Sequence, residues 1–165
     1  MSEIEISDYV AGSIGRIIEL HGSYYRQNWN LGRYFEASVA AGIGKFYLNF
    51  NPELDGAWFA LDGATVAGGI FIVGTGEPAG EARLRWFIID PAYQGTGIGH
   101  RLMNQAMAFC HDKGFGRIYL TTFPGLDAAR HLYELHGFQL AAEADGAHLT
   151  GSKELVEHMY EYRPG

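Results

Sequence analysis

The densest chemical signal lies mid-chain, in Ile88-Ile89-Asp90-Pro91-Ala92-Tyr93-Gln94-Gly95-Thr96-Gly97-Ile98-Gly99. An apolar run ends, Asp90-Pro91 turns the chain, and an amphipathic stretch opens within the glycines. The first turn of a helix leaves backbone N–H groups unpaired and carries partial positive charge. Glycine there lets the backbone close on an anion with no Cβ in the way, so the segment suits a phosphate. Three phosphate-binding patterns compete. The P-loop needs Gly-Lys-Ser/Thr, and no Lys is present here. The dinucleotide fingerprint needs G-x-G-x-x-G, whereas the spacing here is G-x-G-x-G, with no acidic residue ending the next strand to hold a ribose. The third pattern, Gln/Arg-x-x-Gly-x-Gly/Ala, is met completely by Gln94-x-x-Gly97-x-Gly99. Close helix–strand packing is the competing reason for glycines at these positions.

Other chemistry-bearing residues narrow the field. His100, His111, His131, His136, His148 and His158 show no metal-ligand spacing, so no metal is expected. The single cysteine, Cys110, lies in a periodic apolar stretch and reads as a small buried hydrophobe; one thiol makes no internal disulfide, which fits a reducing cytosol. A formal charge of −7 without a Lys/Arg run argues against a nucleic-acid partner. MSEIEISDYV has neither a basic start nor an apolar run, and no stretch approaches the ~18 apolar residues of a membrane span. A cytoplasmic protein without a membrane or nucleic-acid partner is expected.

The elements that position the glycine loop follow from hydrophobic period. The length of 165 residues suits a single domain over 1–165. Ile14, Ile17, Ile18, His21 and Tyr25 predict a first helix. Phe35, Val39, Ile43, Phe46 and Phe50 predict a second, stopped by Pro52. Ala57–Leu61 and Val66–Val73 read as strands about an Asp62-Gly63 turn. A loop over Gly74–Gly80 leads to a third strand, Arg83–Ile89. Ile98, Leu102, Ala106 and Phe109 form the stripe of the loop's own helix, with Gly114 as its stop. A strand at Arg117–Thr122, a helix at Leu126–His136 capped by Gly137, and strands at Phe138–Ala144 and Leu155–Arg163 complete the order ααβββαβαββ. This is an α/β sheet, parallel where Arg83–Ile89 crosses through a helix to Arg117–Thr122.

With loop and order in place, the chain resembles the GNAT superfamily of N-acetyltransferases, whose pyrophosphate loop is the third pattern. Ile89-x-Pro91-x-x-Gln94 and Leu102-Met103 match as well, and Ala129-x-x-Leu132-Tyr133-Glu134-x-x-Gly137-Phe138 resembles the family's A-x-x-L-Y-E-x-x-G-F segment. Four phrases are similar to acetyltransferase domains fused to MarR-type regulators: His21-Gly22-x-Tyr24-Tyr25, Phe35-Glu36-Ala37, Leu84-Arg85-Trp86-Phe87 and Gly125-Leu126-Asp127-Ala128-Ala129. A counterpart of their DNA-binding part is not expected here, which agrees with the acidic charge.

The resemblance implies the GNAT fold, acetyl-CoA as cosubstrate, and acetyl transfer to a primary amine, of a small molecule, by direct attack in a ternary complex. An acyl-CoA-sensing or partner-binding module and a protein-lysine acetyltransferase are the alternatives. Gly95, Thr96, Gly97, Ile98, Gly99 and His100, with Gln94, are implied to take the pyrophosphate. Phe87, Ile88 and Ile89 are implied to bond the pantetheine arm as a pseudo-strand and to polarise the thioester carbonyl. Tyr133 stands where the family places the general acid that protonates the leaving thiolate, while Glu134, about 100° round the helix, reads as a solvated charge.

Two departures leave the general base open. Leu126 stands where many members have a cofactor-contacting Asn, and Thr121 and Thr122 stand where some have a basic Glu. Glu36 and Glu81 are the candidates, Glu36 favoured by its aromatic surroundings. Substrate contacts in such folds come from the first helices and last strands, which singles out Tyr24 and Trp29, with Trp86 beside the cofactor strand. Aromatic walls suit an amine with an apolar or cationic part. Arg85 is either a partner for a substrate carboxylate or a solvent-facing strand residue. Dimers are common in the family, so a homodimer is a further implication.

Overall fold

The computed structural model describes residues 3–75, 80–147 and 155–165. The elements run β1 (Ile4–Ser7), α1 (Ser13–Trp29), α2 (Arg33–Leu48), β2 (Gly56–Asp62), β3 (Thr65–Thr75), β4 (Glu81–Ile89), α3 (Ile98–Lys113), β5 (Arg117–Thr122), α4 (Asp127–Leu135), β6 (Gln139–Asp145) and β7 (Val156–Tyr162). A 3-10 turn at Pro91–Tyr93 precedes α3. The seven strands form one mixed sheet in the order β1-β2-β3-β4-β5-β7-β6. Pairing is antiparallel throughout except between β4 and β5, the expected parallel pair.

The order read from periodicity recurs, with one addition. β1 pairs with β2 from Ile4↔Asp62 to Ser7↔Phe59. Four residues are too few to declare a period, and the strand's glutamate, Glu5, suits the open edge of a sheet. A second difference lies at the end of α2, which stops at Leu48 instead of running through Phe50 toward Pro52. The turn beyond it is closed by Asp55, whose carboxylate accepts from the N–H groups of Asn51 and Gly74, both at 3.0 Å. Gly74 belongs to β3, not to the expected loop; residues 76–79 of that loop, and His148, lie outside the described residues.

Two cores flank the sheet. On one face Ile98, Leu102, Met103, Ala106 and Cys110 of α3, with Leu132 and Tyr133 of α4, pack on Ile70, Ile72, Leu84, Ile118 and Leu120. On the other, Ile17 and Leu20 of α1 and Phe35, Val39, Ile43 and Phe46 of α2 pack on Phe59, Phe71 and Ile88. β2 and β3 are covered on both faces, which is why they read as continuous apolar runs instead of alternating ones. Cys110 is buried as expected, and desolvation pushes its thiol up to about 12.

Candidate active site

The site begins with an interruption in β4. Opposite β3 the register runs Phe71↔Arg85 and then Gly69↔Ile88, so Trp86 and Phe87 together face one residue, Ile70. This is a β-bulge, and Trp86 adopts φ +48°, a left-handed conformation unusual for a bulky side chain. A bulge resets alternation. Leu84 and Phe87 lie on the α3 face, whereas Trp86 and Ile88 pack toward α1 and α2. Arg85, opposite Phe71, points to the same face as Trp86.

The strand also parts from its neighbour. β4 pairs with β5 only from Glu81↔Arg117 to Arg83↔Tyr119. Beyond that point the two strands separate, and their upper halves line a cleft of about 510 Å3. The cleft passes through the sheet: His21, Tyr24 and Tyr25 of α1 line one end, and Leu132 and Tyr133 of α4 the other. Leu84 to Ile89 of β4 and Leu120 to Thr122 of β5 form its sides. With no strand to pair with, the β5-side edge of β4 is open to a ligand there.

The glycine loop closes one end. Asp90 caps the 3-10 turn by accepting from Ala92 N–H at 2.9 Å, and its other oxygen pairs with Arg16 of α1. Tyr93 donates to Asp62 at 2.6 Å. These two clamps fix the loop between α1 and β2. Gly95 and Gly97 hold φ +79° and +85°, with nothing within 4 Å of where a Cβ would stand. Packing therefore does not explain them. Gly99 differs, since a Cβ there would come within 3.2 Å of Leu132. Gly97 is also the N-cap of α3 and offers no side-chain acceptor, so the first-turn N–H groups point out uncapped. An open left-handed loop on an uncapped 16-residue helix fits a pyrophosphate.

Of the residues singled out from sequence, Tyr24, Arg85, Trp86, Phe87, Ile88, Ile89, Gln94, Gly95, Gly97, Ile98, Gly99 and Tyr133 all line the one cleft. Four do not. The Thr96 hydroxyl turns back to Tyr93 O, and the exposed His100 faces His136 with ring centroids 6.0 Å apart. Trp29 stacks among Tyr24, Tyr25 and Phe123, one layer behind the wall. Glu36 is exposed on the first turn of α2, its carboxylate lying over Gly22 of α1. Glu81 sits at the far end of β4, paired with Arg117 at 3.3 Å, and Glu134 is engaged by Arg130 on the surface of α4. Leu126, Thr121 and Thr122, at the two departures from the family pattern, also line the cleft.

Burial sets the protonation of the cleft. Desolvation pushes the hydroxyls of Tyr133 and Tyr25 well above the ordinary tyrosine value, so both stay protonated. The same cause lowers His21 to about 4. His21 Nδ1 lies 2.9 Å from Ile17 O, and with the ring neutral that nitrogen donates, leaving Nε2 as an acceptor. Hydrophobic period places His21 only in the stripe of the first helix; its backbone bond depends on the i−4 carbonyl, which a residue list does not display. Among the described residues no group of three or more His, Cys, Asp or Glu stands together.

Comparison with known proteins agrees with this architecture. A curated relative, the N-alpha-acetyltransferase RimI of Mycobacterium tuberculosis (strain ATCC 25618 / H37Rv), is 39% identical over 82 residues, 48% of this chain and 49% of its own. The match thus spans about half the length of that relative. Among solved structures, a GNAT-family acetyltransferase from Staphylococcus aureus Mu50 superposes with a TM-score of 0.76 at 20% identity, covering 98% of this chain and 99% of the other. The ribosomal-protein-S18-alanine N-acetyltransferase of Escherichia coli gives 0.70 at 16% identity, covering 98% and 94%. At such identities these likenesses concern the fold. The model of the acetyltransferase (GNAT) family matches residues 14–138, most of the chain and all of the cleft's walls, and the chain belongs to that family.

Proposed function

We propose that the chain transfers the acetyl group of acetyl-CoA to a primary amine by direct attack in a ternary complex. The observation that carries this reading is the meeting, in one cleft, of the open glycine loop, the unpaired edge of β4 and the protonated Tyr133. Acetyl-CoA supplies a thioester carbonyl as electrophile. The N–H groups of Gly97 to Gly99 hold its pyrophosphate, and the β4 edge at Phe87 to Ile89 bonds the pantetheine amides and the thioester oxygen. A C–N bond forms as the C–S bond breaks. The amine nitrogen loses one proton to water, the leaving thiolate takes one from Tyr133, and Tyr133 recovers its own from solvent when CoA leaves. Neutral His21, with Nε2 free to accept, is the cleft residue placed to hold an amine N–H. Glu36 lies outside the cleft, which weighs against it as the base.

The acceptor is a small-molecule amine in this reading, since the cleft is enclosed by aromatic side chains. The RimI relative favours a second acceptor, the amine of a protein. The phrases shared with MarR-fused acetyltransferases remain a likeness of sequence. Release of CoA in the presence of an amine and peptide panel tests the reading, wild type against Tyr133→Phe. Turnover should fall on the order of 100-fold in the variant with little change in acetyl-CoA affinity. Acetyl-CoA binding without turnover of any amine would instead favour a sensing module.

A further inference from the structure

The cleft contains a cation, Arg85, to which no described residue is bonded as an anion. The bulge puts Arg85 and Trp86 on one face, and the Arg85 guanidinium lies 4.1 Å over the Trp86 ring. That ring is in turn fixed by Phe46 and Phe71 and lies against the bare backbone of Gly42. No hydrogen bond or ion pair to a described residue holds the guanidinium, although burial and the neighbouring Arg83 bring it down to about 10. Arg83 itself donates to Thr121 at 3.0 Å. The buried Glu157 of β7 attracts Arg85 electrostatically. Elsewhere on this wall stand neutral His21, Tyr24 and Tyr25, and the rim carboxylate, Asp127, is exposed and paired with Arg130.

We propose that the acceptor amine also bears a carboxylate, and that Arg85, stacked on Trp86 at the α1 side of the cleft, is the residue that receives it. This rests on the acetyl-transfer reading above. A guanidinium presents a planar fork that matches the two oxygens of a carboxylate, and stacking fixes that plane before the ligand arrives. In a cleft walled by aromatics the pair is shielded from water, so it discriminates more than a surface pair does. Free amino acids meet the requirement. The N-terminal residue of a protein does not, because its carboxylate has become a peptide bond.

The test separates the two readings by measuring binding as well as turnover. N-acetylglycine, N-acetylphenylalanine and Nα-acetyllysine, and the C-terminal amide of each, are titrated calorimetrically onto the protein saturated with CoA. The corresponding free amino acids and amino-acid amides are assayed for CoA release with acetyl-CoA. At least one acid should bind ten-fold or more tighter than its amide, and its free amino acid should be the better acceptor. Arg85→Met should erase that preference while CoA affinity is unchanged, and Arg85→Lys should restore part of it. Equal binding of every acid and amide, absence of binding by all of them, or a preference surviving Arg85→Met overturns the proposal. Turnover of amides as fast as acids overturns it too, while leaving acetyl transfer intact. Acid-selective binding that depends on Arg85, with no turnover of any amine, supports the carboxylate site and sinks the acetyl-transfer reading.

Discussion

Tyr133, Tyr25 and His21 share one cleft, and burial holds all three neutral: it opposes phenolate in the tyrosines and imidazolium in the histidine. For His21 this has a consequence for stability. Its value falls from 6.5 to about 4, so between those limits the unfolded chain binds a proton that the folded chain refuses. The stabilisation is complete above pH 6.5 and is lost as the pH drops toward 4. The gap corresponds to about 3 kcal/mol. Thermal unfolding across that range should therefore show a steep acid limb that His21→Gln flattens; an unchanged limb would assign it to other groups. That Tyr133 and the Gln94–Gly99 loop meet at one cleft was legible in the sequence, because each stands in a motif of consecutive residues. His21 was not, since its tautomer is set by a carbonyl one turn back. Nor was the displacement of Glu36, because proximity to aromatic residues along the chain does not say which way a helix faces.

At the level of elements, the bulge in β4 governs the site, and the residues of β4 itself carry no sign of it. Leu84-Arg85-Trp86-Phe87 contains no glycine to mark an irregular backbone, and the strain falls on Trp86 itself. The partner strand carries the sign instead. Gly68-Gly69 in β3 faces the segment just beyond the bulge, and a Cβ at Gly68 would stand 2.6 Å from Ile88 O. Backbone cannot step aside as a flexible side chain can. Gly68→Ala should cost about 1–3 kcal/mol, read from denaturant midpoints, because β3 must move off β4. Conservation of the wild-type midpoint would mean that the strands can separate there freely. β1 escaped notice for a simpler reason: its two inward isoleucines, Ile4 and Ile6, are too few to establish alternation. The long strands and helices, with many turns of period behind them, were placed within a few residues of their ends.

For the molecule as a whole, acetyl-CoA should raise the unfolding temperature, since a ligand at one hundred times its Kd adds about 2.7 kcal/mol to stability. A chain of this size should respond by roughly 5–10 °C. Gly97→Val should abolish the rise, because a side chain at φ +85° is strained and stands where the anion would approach. A full rise in that variant would place the cofactor elsewhere. The ladder that joins the two parts of the sheet is short. Among the described residues, strands β1–β4 meet β5, β7 and β6 through three ladder pairs, at Glu81 to Arg83, extended by the N–H groups of Gly116 and Arg117 donating to Gly80 O. Arg117 braces that seam, reaching Glu81 at 3.3 Å and Glu161 at 2.7 Å. Mechanically the sheet is two plates joined by a short ladder hinge and by α3, whose core face packs on both, and the cleft is the mouth of the angle between them. A ligand bonded to both plates acts as a keystone, converting a hinge into a rigid corner. Amide hydrogen exchange along β4 and β5 should slow on ligand binding even at residues far from the ligand, with Arg117→Ala loosening the free protein and the bound protein much less.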